Sequence, residues 1–349
     1  MAAKIDEIDY AVLAEELGYD RVWVADSPML WSDCYATMAL IARSTSRIGV
    51  GTGVAVAGLR LPPVTAAAHA TINRLAPGRV FCGIGSGNTA MRILGRKPMS
   101  IARFDEHLTE LRPLLRGDES VLRHGEALLP TRHVMPDAGF VAFEPPMPMY
   151  VSAFGPKSMA LAARHGDGVV IGVSTPQAME TVWQLLDAGA GRPVDRATFH
   201  TAALSTMVVL EPGEAVDSDR VKAECGAFAM AVVHYAYEQY SQYGVDPPAF
   251  LAGIWDDYTA LLAKVPAERR HLRIHLGHNC WVEPEEERFL TPEVLQNGCM
   301  VGTAEALAER LDALDRAGLH DLMILPTLTT KEGVLRDVAT KVKPLLAAP

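Results

Sequence analysis

The sequence predicts a single-domain α/β barrel of the (β/α)8 type, and three observations support this fold. With 349 residues, 49% of them hydrophobic, the chain is long enough to bury a large core. Short apolar runs alternate with amphipathic helical stretches, which is typical of consecutive βα units and a parallel sheet. The runs are apolar on both faces, as in strands that are covered on both sides. A closed barrel therefore fits better than an open doubly wound sheet.

Seven strands are predicted, at residues 21–25, 48–56, 80–84, 149–153, 168–171, 202–210 and 321–325. Helices are predicted at residues 5–17, 35–45, 63–75, 101–115, 156–165, 304–317 and 331–346. Several of these helices begin at Pro, Ser or Thr and end at Gly, as capping preferences require. The first strand of a complete barrel is missing, because the chain opens in what reads as the first helix.

Two long segments, residues 117–148 and 211–300, exceed ordinary connections. The second has a helical pattern of its own around residues 227–243. Long insertions at one end of a barrel commonly cover the mouth of the active site. We therefore expect one barrel domain over residues 1–349, with both insertions close to the site.

Composition and charge exclude several classes of function. The formal net charge is −10 and no Lys/Arg cluster interrupts it, so binding to nucleic acid or to a membrane surface is not expected. No stretch approaches the roughly 20 apolar residues that span a bilayer, and the N-terminal segment lacks the order of a secretion signal. The five cysteines include no C-x-x-C pair. The sequence thus predicts a cytoplasmic protein with reduced thiols.

Small or polar residues follow each predicted strand, where the functional groups of a barrel are found. After the first strand come an acid, a hydroxyl and an aromatic ring: Asp26, Ser27 and Trp31. They fit either the wall of a pocket for a planar ring or a helix-capping turn. The second strand contains Thr52, Gly53 and Val54. Glycine inside a strand indicates a close approach of the backbone to another molecule, or tight packing inside the barrel.

The next strand ends expose backbone amides. The third strand runs into Gly85, Ser86, Gly87 and Asn88, whose glycine spacing is not that of a dinucleotide-binding fingerprint and where no helix is predicted at the last glycine. The following two strands end in Ser152, Ala153, Phe154 and Gly155, and in Gly172, Val173 and Ser174. Each of these two turns leads into a helix with Pro near its first position, and free amides at a helix N-terminus suit a phosphate.

Together, the segments AEELGYDRVWVADSPMLW, SRIGVGTGVAV, NRLAPGRVFCGIGSGN, YVSAFGPKSMALAARHGDGVV and AGLHDLMILP resemble the luciferase-like superfamily of flavin and deazaflavin barrels. The resemblance is to its methylene-tetrahydromethanopterin reductase-like branch and extends from about residue 11 to residue 325. It implies that Thr52, Gly53 and Val54 lie behind the cofactor ring, with a non-prolyl cis peptide bond at Gly53–Val54.

The resemblance also implies roles for the other strand ends. Asp26, Ser27 and Trp31 would face the reactive side of the ring, and Gly85, Ser86, Gly87 and Asn88 would contact its edge or chain. The turns 152–155 and 172–174 would bind the cofactor phosphate. The sugar-phosphate dehydrogenases of this superfamily carry a His where this chain has Ser27 and a Glu where it has Asn88. The chain therefore lacks their acid/base pair, which argues against a simple alcohol dehydrogenase.

A histidine-rich segment in the second insertion contains His271, His275, His278 and Cys280. On a helix, His271 and His275 would share a face at the spacing of metal ligands. Leu272 stands where the zinc-protease motif has its Glu, so we expect no metal. Related barrels have similar segments over the pocket, and His278 is therefore predicted as a polar group on the substrate side. A surface or capping histidine is the alternative.

Three functional hypotheses remain open. The first is an oxidoreductase that transfers a hydride between the deazaflavin coenzyme F-420 and a small organic substrate. The second is an FMN-dependent monooxygenase that uses reduced flavin from a separate reductase, together with O2. The third is a barrel that binds a ligand without catalysis. The turns after Ala153 and Gly172 offer no conspicuous Arg for a flavin phosphate, which favours the deazaflavin. Relatives often form homodimers, and we expect one here.

Overall fold

The computed structural model describes residues 1–172 and 175–346. Twelve strands run through the described residues, and they are β1 (Arg21–Val24), β2 (Gly49–Thr52), β3 (Ala55–Val56), β4 (Val80–Gly85), β5 (Ser120–His124), β6 (Ala127–Thr131), β7 (Met149–Ser152), β8 (Gly168–Ile171), β9 (His200–Ser205), β10 (Met207–Val209), β11 (Met300–Gly302) and β12 (Asp321–Ile324).

Seven of these strands form a nearly closed parallel barrel in the order β1-β2-β4-β7-β8-β9-β12, and β3 also pairs with β4. The register aligns the strand ends: Val24 lies opposite Thr52, Ile84 opposite Val151, and Ile324 opposite Ser205. Because every pairing is parallel, the carboxyl ends of all the strands meet at one rim. The predicted seven-strand barrel is confirmed.

The structure corrects the predicted strands at three places. The predicted strand 202–210 is divided at Thr206, and its second half, β10, leaves the barrel to pair with β11. The predicted strand 48–56 is divided into β2 and β3. The insertion 117–148 contains the hairpin β5–β6, whose two-residue turn places Gly125 at a φ of 62°. Glycine reaches this backbone region without the steric cost of a Cβ, which suits a tight hairpin turn.

Thirteen α-helices occur in the described residues: α1 (Asp9–Glu16), α2 (Cys34–Ser44), α3 (Pro62–Leu75), α4 (Thr89–Ile93), α5 (Ile101–Leu115), α6 (Pro156–His165), α7 (Pro176–Ala190), α8 (Asp219–Tyr243), α9 (Trp255–Ala263), α10 (Arg270–Ile274), α11 (Pro292–Gly298), α12 (Ala304–Arg316) and α13 (Lys331–Asp337). Side-chain oxygens of Asp33, Ser100 and Thr303 accept hydrogen bonds from the first turns of α2, α5 and α12. The last predicted helix, 331–346, is α-helical only from Lys331 to Asp337. It continues as a π-helical turn at Val338–Val342.

The inside of the barrel is filled by a layer of aromatic side chains. Trp23, Phe81 and Tyr150 pack on one another with ring centroids 4.4 to 5.7 Å apart. Gly51 faces them, and a Cβ built there would lie 2.2 Å from the Phe81 ring. Since interiors are close-packed, the glycine is what admits the aromatic ring. The middle of the barrel is thus filled by these side chains.

Among the residues that the structure describes, β1 and β12 are not paired with each other. The N–H group of Met1 donates to the carbonyl of Trp23, and the N–H of Ala25 donates to the carbonyl of Met1 at 3.0 Å. Met1 therefore occupies one position along the free edge of β1. At the opposite end of the barrel, Arg21 and His200 both contact the carboxylate of Asp321 and link β1, β9 and β12.

The second insertion builds its own apolar cluster. Helices α8, α9 and α11 contribute buried side chains to it, among them Tyr258, Leu262 and Leu295. It is joined to the rim loop after β12, where the N–H and hydroxyl of Thr327 both donate to the carbonyl of Glu224. This contact fixes the second insertion beside the rim. The first insertion precedes β7, and its Pro145 contacts Asn73 and Gly78 before β4, at the end of the barrel opposite the rim. No helix in the described ranges is long and apolar enough to cross a membrane.

Candidate functional site

The site is built at the rim where the parallel strands end. Glycines recur there, at Gly53, Gly83, Gly85 and Gly172. A Cβ on Gly83 would lie 2.2 Å from the carbonyl oxygen of Thr52, and one on Gly85 would lie 3.1 Å from Val54 and 3.2 Å from Ser152. Only glycine leaves the backbones and side chains of neighbouring strands this close together. The predicted residues Asp26, Gly53, Gly85, Ser152 and Gly172 follow or end parallel strands and thus lie at the same rim.

The turn between β2 and β3 has the predicted backbone geometry, because the Gly53–Val54 peptide bond is cis. Thr52 is fully buried, and its hydroxyl donates to the carbonyl of Gly83 at 2.6 Å. The same hydroxyl lies 3.3 Å from Nε2 of His69. Burial lowers the pKa of His69 to about 4. Thr52 therefore ties β2 to β4 and to α3, while the backbone of Gly53 and Val54 forms the floor of the rim.

The turn after β4 leads into a short helix that the sequence did not predict. Gly87 has a φ of 85°, and α4 begins two residues later at Thr89. Asn88 accepts a hydrogen bond on Oδ1 from Nε of Arg92 at 2.6 Å, one helical turn away. No helix begins at the last glycine itself, as expected, but the short helix α4 follows two residues later. The buried side chain of Arg92 thus holds the side chain of Asn88 in place.

The turn 152–155 is open on one side. Phe154 is 64% exposed, and a Cβ on Gly155 would meet no atom within 4 Å. The N–H groups of Phe154 and Gly155 both point to the hydroxyl oxygen of Ser158 at 3.2 Å, so these two amides are already engaged. A phosphate here would instead face the N–H groups of the first turn of α6 and the exposed Lys157.

At the next turn, Gly172 lies beneath Phe154, since a Cβ there would be 3.2 Å from its ring. Val173 and Ser174 lie outside the described residues. The helix that follows is capped by Thr175, whose hydroxyl accepts from the N–H of Ala178 at 3.2 Å. The predicted contribution of residues 173 and 174 to a phosphate site stays a prediction.

Asp26 is placed differently from the expectation that it faces the reactive side of a ring. Its side chain is 1% exposed and forms an ion pair with Arg60, while Oδ2 also accepts from the N–H of Val56 at 3.1 Å. Arg60 lies over the ring of Tyr35, 4.7 Å from its centroid. Paired in this way, Asp26 joins β1 to the β3 turn and is not a free acid or base. Ser27 is also buried, and its carbonyl accepts from the N–H groups of Leu30 and Trp31.

Trp31 and His278 lie side by side, with ring centroids 6.0 Å apart. Nε1 of Trp31 donates to Sγ of Cys280 at 3.3 Å, which ties the β1 turn to the histidine-rich insertion. Burial and the nearby charges of His275 and His234 lower the pKa of His278 to about 3, so the imidazole is neutral at neutral pH. A neutral imidazole can accept or donate a hydrogen bond beside an aromatic wall.

The sequence reasoning missed a set of buried polar residues behind His278. They are His234 and Glu238 on α8, Arg92 on α4, and Glu286, all of them under 9% exposed. His234 and Glu238 are four residues apart and so share one face of α8, as Asn88 and Arg92 share one face at α4. This spacing is the only signal in the sequence that could have indicated the set, since their partners are distant along the chain.

The family model described as luciferase-like monooxygenase matches residues 4–321. A 5,10-methylenetetrahydromethanopterin reductase of Archaeoglobus fulgidus is 30% identical over 329 residues, covering 92% of this chain and 89% of that protein. An F420-dependent glucose-6-phosphate dehydrogenase of Beutenbergia cavernae is 34% identical over 208 residues, covering 54% of this chain and 59% of that protein.

Two solved structures share the architecture. The coenzyme F420-dependent tetrahydromethanopterin reductase of Methanopyrus kandleri superposes with a TM-score of 0.72 at 18% identity, covering 99% of this chain and 98% of that one. The FMN complex of the oxygenating constituent of 3,6-diketocamphane monooxygenase from Pseudomonas putida superposes with a TM-score of 0.61 at 17% identity, covering 98% and 93%. At these identities the likeness concerns the fold.

Proposed function

Because this chain belongs to the luciferase-like monooxygenase family, we propose that it is an oxidoreductase that transfers a hydride between the deazaflavin coenzyme F-420 and a small organic substrate. The relatives that resemble it over much of their length include a methylenetetrahydromethanopterin reductase and an F420-dependent dehydrogenase. The observation that carries the proposal is the rim, where glycine-rich strand ends adjoin the cis peptide turn at Gly53–Val54.

The residues at the rim fit such a coenzyme. The tricyclic ring would rest on the turn at Gly53 and Val54, where Gly83 and Gly85 on the neighbouring strand carry no side chains. The turn 85–88 would contact the edge of the ring. The open turn at Gly155 and the exposed Lys157 would receive the phosphate, through the first-turn N–H groups of α6. When bound, the deazaflavin would supply or accept the hydride.

The protein's own groups would orient the substrate and keep water out. Trp31 would form an apolar wall on the reactive side, and His278 would provide the polar group beside it. Asp26 would hold the β1 turn in place through Arg60 and would not exchange protons with the substrate. The buried, neutral imidazole of His278 would orient the substrate oxygen by hydrogen bonding.

A flavin monooxygenase is the second candidate. It is favoured by the description of the family model and by the fold shared with an FMN-bound oxygenase. The same floor would bind the flavin ring, and a separate reductase would supply reduced flavin. The turn 152–155 contains no Arg, and neither do the described residues around Gly172. Lys157 would then be the cation that faces the flavin phosphate. The lack of an Arg favours the deazaflavin.

The two candidates can be separated by titrating the purified chain with F-420 and with FMN, following cofactor fluorescence and co-elution. Turnover is then measured anaerobically with F-420 and a panel of 5,10-methylenetetrahydromethanopterin, glucose 6-phosphate and propan-2-ol. We expect F-420 to bind more tightly than FMN and the coenzyme absorbance to change with one member of the panel. Preferential binding of FMN, with substrate oxidation that needs O2, would support the monooxygenase. Binding of neither cofactor to the folded chain would refute both.

A homodimer also belongs to this proposal. The first insertion exposes a group of apolar side chains on and beside the β5–β6 hairpin, including Leu128, Leu129, Val134 and Phe140. Exposed apolar groups of this kind often mark contacts between subunits. Sedimentation of the parent chain and of a Leu128→Glu, Phe140→Glu variant would test whether a dimer forms through this surface.

A further inference from the structure

The side chain of Asn88 is held in one orientation at the rim. Asn88 directly precedes α4, yet its side chain makes no capping hydrogen bond to that helix. Its Oδ1 instead accepts from Nε of Arg92 at 2.6 Å. A guanidinium can only donate, so the carboxamide atom that faces Arg92 must be the oxygen. The amide therefore cannot be reversed without placing its NH2 group against an N–H of Arg92.

Arg92 is itself held from the side of the second insertion. Its side chain is 2% exposed, and its Nε lies 3.4 Å from a carboxylate oxygen of Glu238 on α8, whose side chain is 6% exposed. A buried guanidinium is costly unless a carboxylate balances its charge. The pair with Glu238 provides that balance and keeps the guanidinium in place. A charged donor on Oδ1 also polarises the amide of Asn88, which strengthens its N–H groups as donors.

The NH2 group of Asn88 is the part of the side chain that remains free. Nδ2 donates to no residue that the structure describes, and Asn88 is partly exposed. The preceding Gly87 has a φ of 85°, and a Cβ there would lie 2.4 Å from the side chain of Val56 at the end of β3. At position 88 the rim therefore presents unpaired N–H donors, while the acceptor oxygen is turned toward Arg92.

This donor lies in the part of the rim where the edge of a coenzyme ring is expected. The turn 85–88 adjoins the cis peptide turn through β3, which begins directly after that turn and pairs with the end of β4 at Gly85. A tricyclic ring on Gly53 and Val54 would thus meet the turn 85–88 with its edge. Flavin and deazaflavin rings both carry carbonyl oxygens on their pyrimidine edge, and such an oxygen accepts from an amide N–H.

We infer that Nδ2 of Asn88 donates a hydrogen bond to a carbonyl oxygen on the edge of the bound coenzyme ring. This inference rests on the proposed function, since it names the group of the coenzyme that the turn 85–88 recognises. The related dehydrogenases carry a Glu at this position, which can exchange a proton. Asn88 differs from it in kind: the amide keeps both of its protons, and it binds and orients the ring.

The first test is NMR of the full chain labelled with 15N-asparagine, whose side-chain NH2 groups belong to Asn73, Asn88, Asn279 and Asn297. In the free chain, the NH2 protons of Asn88 should exchange rapidly with water. Those of Asn73, which donates to the carbonyls of Ala142 and Pro145, should exchange slowly. Saturating F-420 should slow the exchange at Asn88 at least about tenfold and leave Asn73 and Asn297 unchanged. Asn88→Ser, which keeps an N-capping residue before α4, assigns the Asn88 signals.

The second test is titration of Asn88→Asp with F-420 and with FMN, followed by cofactor fluorescence. Aspartate has nearly the shape of asparagine and still accepts from Arg92, but it presents a charged oxygen where the parent presents NH2. The melting temperature should be kept, and the Kd of the coenzyme should rise at least about tenfold. Asn297→Asp is the matched control. Asn297 is exposed on α11 and donates to the carbonyl of Glu293 at 2.7 Å, so the same added charge there should leave the Kd unchanged.

Slow exchange at Asn88 in the free chain would overturn the inference, because its NH2 group would then already have a partner. Exchange that bound coenzyme does not alter would also overturn it, and so would a parental Kd in folded Asn88→Asp or an equal loss of affinity in Asn297→Asp. If Asn88→Asp fails to fold, the exchange measurement on the parent decides.

The same data separate this inference from the proposed function. Binding of F-420 that does not depend on position 88 would overturn the inference and leave the proposed function standing. Binding of FMN alone, with the expected changes at Asn88, would refute the F-420 function and support the contact. Binding of neither coenzyme to the folded chain would refute both.

Discussion

The replacement of Gly155 by Val should weaken coenzyme binding without weakening the fold. Gly155 has extended backbone angles, φ −131° and ψ 168°, which a β-branched residue adopts readily. A Cβ there would meet no protein atom within 4 Å. Replacing glycine stiffens the unfolded chain, which favours the folded state by roughly 0.4–1 kcal/mol. Gly155 is also the N-cap of α6, where Val is less favourable than Gly by a similar amount, so the stability should be nearly unchanged.

The effect on binding should be much larger. The Val side chain would fill the space beside the first turn of α6, where the phosphate is expected to approach Lys157 and the free N–H groups. Losing one or two charge-assisted hydrogen bonds, each about 1.5 kcal/mol or more, corresponds to a roughly 10- to 100-fold rise in Kd. The affinity for F-420 is measured by fluorescence titration, and the melting temperature is measured on the same samples.

Gly253→Val is the matched control. This glycine also has open space around its Cβ position and no positive φ, but it lies in the second insertion before α9. Both variants should melt close to the parent temperature, and only Gly155→Val should lose affinity. A parental Kd in a folded Gly155→Val protein would mean that the phosphate is not bound at this turn. A markedly lower melting temperature would mean that the space around Gly155 is not open.

Three further outcomes follow from contacts in the structure. Trp31→Ala removes the ring beside His278 and the hydrogen bond that Trp31 donates to Cys280. Turnover per folded molecule should fall at least tenfold, while the free energy of unfolding falls by only about 2 kcal/mol. Normal turnover would mean that Trp31 is not part of the site. Arg79→Met removes four hydrogen bonds to oxygens of Ala42, Thr45 and Ile48 at the end of α2. The free energy of unfolding in urea should fall by about 2–4 kcal/mol. A decrease below about 1 kcal/mol would mean that these hydrogen bonds do not stabilise the end of α2. For Glu15, burial raises the pKa, but N–H donors at Ser46, Arg47 and Ile48 outweigh it and lower the pKa from 4.5 to about 2. Its contribution to stability is therefore present above about pH 4.5 and lost as the pH falls toward about 2, so Glu15→Gln should flatten the acid side of the stability profile, and an unchanged profile would contradict this assignment.

The barrel could be predicted because its signals are local. Each strand is a short apolar run, and the runs of 80–84 and 168–171 nearly coincide with β4 and β8. Since parallel strands present their ends at one rim, the strand ends also predict where the site lies. The cis bond at Gly53–Val54 was predicted by the resemblance and is present.

The partners of the polar residues could not be predicted, because they approach one another only in the folded chain. From the sequence, Asp26 was expected in a pocket wall or a capping turn, yet it forms an ion pair with Arg60, 34 residues away. Glu238 was not singled out from the sequence, yet it is buried between Arg92 and His275. No periodicity encodes such contacts, since they depend on how α4, α8 and the segment after α10 pack.

The aromatic layer of Trp23, Phe81 and Tyr150 has a consequence for the order of kinetic events. It seals the barrel below the rim, with Gly51 leaving no gap beside Phe81. A ligand at the turn of Gly53 and Val54 would therefore approach from the rim side and not along the barrel axis. If the coenzyme ring lies on the floor at Gly53 and Val54, a substrate between it and Trp31 blocks its exit. The coenzyme would then enter first and leave last, and initial-rate patterns should be those of a compulsory-order reaction.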